Sequence, residues 1–408
     1  MTILGRRLAA LDRAKVSLVA SLFAMMFFLG VVNGVRGVCL PLMKEQFGAG
    51  YDAQGFMIFL SSLAGMGSSF VAAWLLRRFG VKLHLACCMM LVAGSMLALS
   101  FSPVYGVMVV LYTLLTASSS LYETGKNAMA AIVFTAKIAA KMILLHLFYG
   151  LGNILGPMLT ELCFTQLGFT WRGMFQLLTP VAVALGLWVA LSRYQLVGGG
   201  GRKDAQGSQL TLAACFKRPI VWLFAVTTCL GSVVEGGFGN WSLLHLQDVY
   251  GLDPVTAGAS FMALFYTAFS LSRLLSGVLL EKVGYMRSLI IAAAVAVALF
   301  AAGFALGERG VWLLPLTGVC IALFWPTMLS VMIQAFGKDS ALMSNAGMLV
   351  SAPLGALVQW GIGLINQYVG VAWGFRSLTV FAALYLVMLL VTRRALPQAG
   401  EIATEAET

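Results

Sequence analysis

The stretch LLRRFG at residues 75–80 returns as LLEKVG at residues 279–284, an offset of 204. Two further loops repeat at nearly the same distance. Gly48 and Gly55 recur as Gly251 and Gly258, offset 203, and Gly168 and Trp171 recur as Gly370 and Trp373, offset 202. Three loops sharing one spacing point to a chain built from two similar halves. Each copy of the hexapeptide sits between long apolar runs, so the repeated unit is itself a set of apolar segments.

The composition says what those segments are. Of the 408 residues 60% are hydrophobic and 10% charged, against about 25% charged in ordinary soluble chains. The mean hydropathy is +0.93. Apolar runs between charge and turn clusters predict twelve spans: 16–42, 53–76, 83–101, 104–133, 141–165, 171–194, 219–247, 254–280, 287–306, 311–335, 340–366 and 371–392. Each is long enough for a bilayer core that takes about 20 residues. The expected fold is an all-α membrane protein of two six-helix bundles. The longest polar interruption, LVGGGGRKDAQGSQL at 196–210, reads as a flexible linker. The expected domains are 1–195, a cytoplasmic linker 196–216, and 217–408.

A net charge of +11 would suggest nucleic acid in a soluble protein; here the positive-inside rule accounts for it. Nineteen of the 26 Lys and Arg fall on one set of loops, among them Arg6, Arg7, Arg77, Arg78, Lys217, Arg218, Arg393 and Arg394. Lys44, Arg172, Arg309 and Arg376 fall on the other set. Both termini and the linker are therefore expected in the cytoplasm, and the chain in the plasma (inner) membrane. The basic N-terminus before an apolar run mimics a signal peptide, but the run 16–42 is long and lacks a cleavage site, so it reads as an uncleaved first span. Seven cysteines lie in or beside apolar segments without metal spacing, so no metal or cofactor is expected. GLGNILG (150–156) matches a dinucleotide fingerprint only loosely and has no preceding strand. An enzyme is not expected.

Six spans per half is an even number, so duplication keeps each half's orientation and the repeat is parallel. This is the plan of the major facilitator superfamily. That plan implies substrate binding near the midplane between the halves and alternating access by rocking. The superfamily's loop signature is a Gly, three residues, then Asp-Arg-x-Gly-Arg-Arg. Gly277, Glu281, Lys282 and Gly284 resemble it in the second half, and Arg78, Gly80 and Lys82 in the first. Ala73 and Arg77 replace the glycine and the acid there, so a different inner latch is expected. The stretches ETGKNAM (123–129), FYGLGNILGPML (148–159), VEGGFGNW (234–241) and ALFWPTMLS (322–330) resemble the fucose/galactose/glucose–proton symporter family. The resemblance implies a role for Glu123 in sugar binding and proton coupling. The family's first-span aspartate is missing; Asn33 and Arg36 stand in that region.

Ionisable residues inside spans cost about 2.5–3.5 kcal/mol each and persist where they face a cavity or one another. Glu123, Lys126 and Asn127 share a helix face at spacings of three and four. They read either as a cavity-facing site, as a structural ion pair, or as a solvated helix end. Arg36 either snorkels to the outer interface, pairs with Glu123, or meets an anionic solute group. Asn33, one turn earlier, suits hydroxyls or a helix–helix hydrogen bond. Glu235, Asn240 and Trp241 in span seven combine a carboxylate, an amide and a ring, which suits sugar recognition; an outer helix end with Trp241 in the interfacial belt is the plainer reading. His146 shares a face with Tyr149 and Asn153 and could relay protons. Arg273 reads as support for the loop motif near Glu281. Gly150, Gly152 and Gly156 with Pro157 read as a close helix crossing, and Trp325–Pro326 as a kink.

The expected function is secondary transport of a small polar solute, a sugar or related metabolite, with protons as coupling ion through Glu123, Glu235 and His146. The working form is expected to be a monomer in the lipid bilayer without a nucleic-acid partner. The rival readings are a carrier for an organic anion such as a sugar acid, an exporter of amphipathic compounds, and a transporter-like receptor.

Overall fold

A computed structural model describes residues 3–134, 138–192 and 211–396. The chain forms α1 (Ile3–Gln46), α2 (Tyr51–Ser100), α3 (Tyr105–Val133), α4 (Ile138–Leu167), α5 (Trp171–Leu191), α6 (Leu212–Phe216), α7 (Pro219–Tyr250), α8 (Ala257–Val283), α9 (Tyr285–Ala305), α10 (Gly318–Ile321), α11 (Phe324–Phe336), α12 (Ser340–Tyr368) and α13 (Val371–Ala395). No strand occurs among the described residues. Eleven helical segments there are long and apolar enough to cross a membrane. One of them, α2, has 50 residues and would run about 75 Å if straight, far beyond a core of about 30 Å.

Gly80 resolves this excess. Its backbone turns to φ 75°, ψ 162° inside α2, a region open essentially to glycine alone. The helix therefore makes two crossings, and the twelve spans read from the sequence are present. The repeat partner, Gly284, adopts φ 89°, ψ 143° between α8 and α9. The other repeated loops behave alike: Gly48 and Gly251 have φ 60° and 65°, Gly168 and Gly370 have φ 65° and 126°. The sequence repeat is thus a repeat of chain reversals that other residues would strain.

Span ends match the sequence reading to within about four residues. Span ten departs in kind. Its first part, Val311–Thr317, is a 3₁₀ helix, a single α-turn follows at Gly318–Ile321, and a longer α-helix starts at Phe324. Pro326 lies in the first turn of α11, where a missing N–H costs little. The expected bend at Trp325–Pro326 is accordingly a helix restart just before the proline. The linker segment 196–210 lies outside the described residues; α6 follows it.

Contacts divide the chain into two units, each taken over its described residues. One comprises Met1–Ala49, Leu60–Arg202 and Pro254–Ala263; the other comprises Gly50–Phe59, Lys203–Asp253 and Leu264–Thr408. In the first unit α1 and α4 meet backbone to backbone. A Cβ added at Gly156 would lie 2.6 Å from the Val31 carbonyl, and one at Gly34 would lie 2.6 Å from Pro157 Cδ. Small residues at such crossings let lipid-embedded helices gain close van der Waals contact. Arg172 closes the last turn of α2, donating from Nη1 to the Ser100 carbonyl at 2.7 Å and from Nη2 to Ser102 at 2.8 Å.

In the second unit α7 is the central helix, packed against α12 and α13. Large side chains fill its surroundings. Phe238 stacks on Phe265 at 4.1 Å, with Phe300 and Phe375 adjoining. The first turns of α2 belong to this unit, where the Tyr51 amide donates to Gln367 Oε1 at 2.8 Å and the Tyr51 hydroxyl donates to Asp248. Both units carry exposed apolar side chains such as Phe70 (59%), Val110 (63%) and Leu275 (66%). In water such surfaces would associate; in a bilayer they are the solvent-facing side.

Candidate functional site

The crossing of α1 and α4 brings Asn33 to Asn153. Asn33 Nδ2 donates to Asn153 Oδ1 at 2.7 Å, and Asn153 Nδ2 donates back to the Tyr149 carbonyl at 2.9 Å. This amide pair fixes one wall of a cavity of about 190 Å³ between α1, α3 and α4. Its lining is Leu29, Val32, Asn33, Arg36, Thr116, Ser119, Ser120, Glu123 and Tyr149. One carboxylate, one guanidinium, an amide and four hydroxyls meet there.

Arg36 turns inward. Its Nη2 donates to Thr116 Oγ1 at 2.8 Å, and its guanidinium carbon lies 4.4 Å from the centre of the Tyr112 ring. Its Nε is buried without a partner. Of its three sequence readings, the snorkelling one and the pairing with Glu123 are not what the structure contains. Glu123 instead accepts from Lys126 Nζ at 2.5 Å. The lysine side chain is 1% exposed and the glutamate 44%. Lys126 is thus a buried cation whose recorded partner is the glutamate in front of it. Asn127 is exposed and outside the cavity lining, so the face expected to carry three site residues presents one.

The hydroxyls of Thr116, Ser119 and Ser120 are the part of this lining that the sequence does not single out. Thr116, Ser120 and Glu123 stand at i, i+4 and i+7 on α3, which is one helix face. The run TASSSLYET shows that spacing, but hydroxyls are common inside membrane helices, where they bond to their own backbone. Thr116 also does this, donating to the Tyr112 carbonyl at 3.1 Å. His84 was passed over too. It is buried on α2, 2.9 Å from the Leu121 carbonyl of α3, and packs where Gly125 leaves room.

Glu235 lies in the other unit, in a pocket with Thr228, Gly231, Ser232, Phe324, Trp325 and Tyr385. Its volume is about 10 Å³, close to the least that holds one water. The Thr228 and Tyr385 hydroxyls are buried there without partners. Arg273 belongs to the same unit but does not line this pocket. Its own contacts are the Ala322 carbonyl at 3.4 Å and the Phe269 ring at 4.3 Å. Glu281 is not among these contacts.

Trp241 also differs from expectation. It is fully buried, and its Nε1 donates to Gln359 Oε1 at 3.0 Å while Gln359 Nε2 donates to the Val233 carbonyl. No ring face is open for stacking, and it is not at an interface, because α12 covers it. Asn240 is half-buried beside Gly236. His146 is half-buried on α4 and does not line the cavity. Among the described motif residues, Arg78, Gly277, Glu281 and Lys282 are exposed and make no ion pair, while Gly80 and Gly284 carry the chain reversals. Lys82 donates to the Ser192 carbonyl at the C-terminal end of α5.

An all-helical membrane protein of twelve crossings, with its polar groups gathered into internal pockets, has the build of a solute carrier. The chain belongs to the Major Facilitator Superfamily, whose model matches residues 22–341. No curated protein matches the chain. Among solved structures, the nucleoside transporter NupG is similar with a TM-score of 0.73 at 14% identity, over 93% of this chain and 98% of that one. A bacterial homolog of the human lysosomal transporter Spinster, inward-facing and unoccupied, has a TM-score of 0.74 at 11% identity, over 94% and 98%. FucP in the outward conformation has a TM-score of 0.59 at 16% identity, over 93% and 99%. At these identities the likeness is one of fold. The protein is a multi-pass membrane transporter acting on small molecules.

Proposed function

We propose that this transporter moves a compact, hydroxyl-bearing metabolite of the sugar type by alternating access, with protons as the coupling ion. The observation that carries the reading is the cavity of about 190 Å³. It is smaller than the ~300–1,000 Å³ of pockets for drug-sized ligands, which favours a small polar solute over a bulky amphipathic one. Its hydroxyls, the Asn33 amide and Glu123 offer the hydrogen bonds that a polyol needs. The resemblance to the fucose/galactose/glucose–proton symporter family supports the same class.

In this reading Glu123 is both solute ligand and proton site. Lys126 pairs with it while the cavity is empty, and solute or a proton competes for the pairing. Glu235, in its water-sized pocket, is the second proton site. The halves 1–195 and 217–408 act as the moving bodies, with the Gly80 and Gly284 loops and their charges forming the inner gates. Both termini lie in the cytoplasm, the membrane is the plasma membrane, and the monomer is the working unit.

Thermal stabilisation of the purified protein against neutral sugars, sugar acids and lipophilic cations tests this. A ligand at 100 times its dissociation constant adds about 2.7 kcal/mol to the folded state. Stabilisation by a compact hydroxylated solute, lost in Glu123→Gln, is expected. Stabilisation by lipophilic cations alone would replace this reading with the exporter.

A further inference from the structure

We infer that the solute carries one negative charge, a carboxylate or its equivalent, which docks on Arg36, with its hydroxyls reaching toward Glu123. The inference rests on the proposed cavity being the solute site and names the class of solute it takes.

The argument is one of charge and partners. Glu123 is already neutralised by Lys126 at 2.5 Å. Among the described residues Arg36 has no acidic partner: its contacts are Thr116 Oγ1 and the Tyr112 ring. Arg36 and Glu123 line the cavity and Lys126, buried behind Glu123, is its partner, so the three charges sum to +1. Glu235, which a count over the sequence sets against them, lies in a different pocket in the other unit. The excess charge is a guanidinium, and four of its five donors have no recorded protein partner. A planar fork of donors matches carboxylate geometry. A ring beneath it holds the plane in place.

The layout also sets orientation. Thr116, which holds Arg36, and Glu123 are seven residues apart on α3, about 10.5 Å along the axis. Ser119 and Ser120 lie between them. An acid group at the Arg36 end therefore leaves several carbons of polyol to span the serines before meeting the Glu123–Lys126 pair. A neutral sugar leaves the guanidinium without a counter-charge in a membrane interior, where an unpaired charge is costly.

The test compares matched pairs by thermal shift and titration at constant ionic strength: gluconate with sorbitol, glucuronate with glucose, and glycerate with glycerol. The wild-type protein is expected to bind at least one acid ~10–100-fold more tightly than its neutral partner, as for a hydrogen-bonded charge. Arg36→Gln should remove that preference, lowering the affinity for the acid ~10–100-fold more than that for its neutral partner. Arg36→Lys should restore part of it, because it keeps the charge and loses the fork. The wild-type comparison stands even if the variants fold poorly. Equal or better binding of the neutral partner overturns the inference but leaves the proposed function intact. So does an acid preference that survives in Arg36→Gln. If neither member of any pair binds, the inference and the proposed function both fall.

Discussion

In the first unit α1 and α4 touch through glycines and leave a cavity of about 190 Å³ facing α3. In the second, Trp241 and Phe238 of α7 and Tyr385 of α13 fill the interior, and the pocket at Glu235 has room for about one water. Both units keep the same glycine reversals at matching places. The duplicated frame is therefore held by loop glycines, while the interiors have diverged through side-chain volume. On the functional reading above, the roomy interior recognises solute and the filled one holds a proton site.

The largest expected effect strikes the filled interior. Trp241→Ala should cost about 3–5 kcal/mol, as for other buried large-to-small changes, read as a lower melting temperature in detergent. Near-normal stability with lost transport would instead make Trp241 a ligand platform and erase the contrast between the units.

Next comes the ion pair of the roomy interior. Glu123→Gln should reduce transport by ~10–100-fold. It should also cost about 1–3 kcal/mol of stability, since it strands the buried Lys126 but the glutamate itself is partly solvated. Replacing both residues, Glu123→Gln with Lys126→Met, should restore stability without restoring transport. Transport at the wild-type rate in the single variant would remove Glu123 from the mechanism.

The shared frame predicts equality. Gly80→Ala and Gly284→Ala should each lower stability by about 1–3 kcal/mol, in similar measure. A large cost at one and none at the other would show that the two loops are not equivalent. The smallest effect belongs to Asn127, which is exposed and outside the cavity lining. Asn127→Ala should change stability by less than about 0.5 kcal/mol and leave solute affinity unaltered.

Much of the frame was legible because its signals are local. An apolar run of about 20 residues has one stable fate in a bilayer, and a glycine that repeats at a fixed offset marks a reversal wherever the fold puts it. Glu123 and Arg36 stood out for a similar reason: charge inside an apolar run is rare and costly. What misled was direction around the helix. Lys126 and Asn127 share a face with Glu123 on a helical wheel, yet one is buried behind the glutamate and the other is exposed. Trp241 had the right chemistry for stacking, but Gln359, 118 residues away in sequence, occupies its N–H. Arg273 is close to Glu281 in sequence, yet its contacts are the Ala322 carbonyl and the Phe269 ring of its own helix.

By itself the sequence determined the membrane, the twelve crossings, the duplication and the few charged residues worth following. Each of these rests on composition, on spacing along the chain, or on the cost of burying charge. Only the tertiary structure decided which of those charges share a cavity, which hydroxyls join them, and that Glu235 stands apart. Side-chain neighbours across helices depend on how closely two backbones approach. That distance was set at Gly34 and Gly156 by the absence of a Cβ on both sides of one crossing.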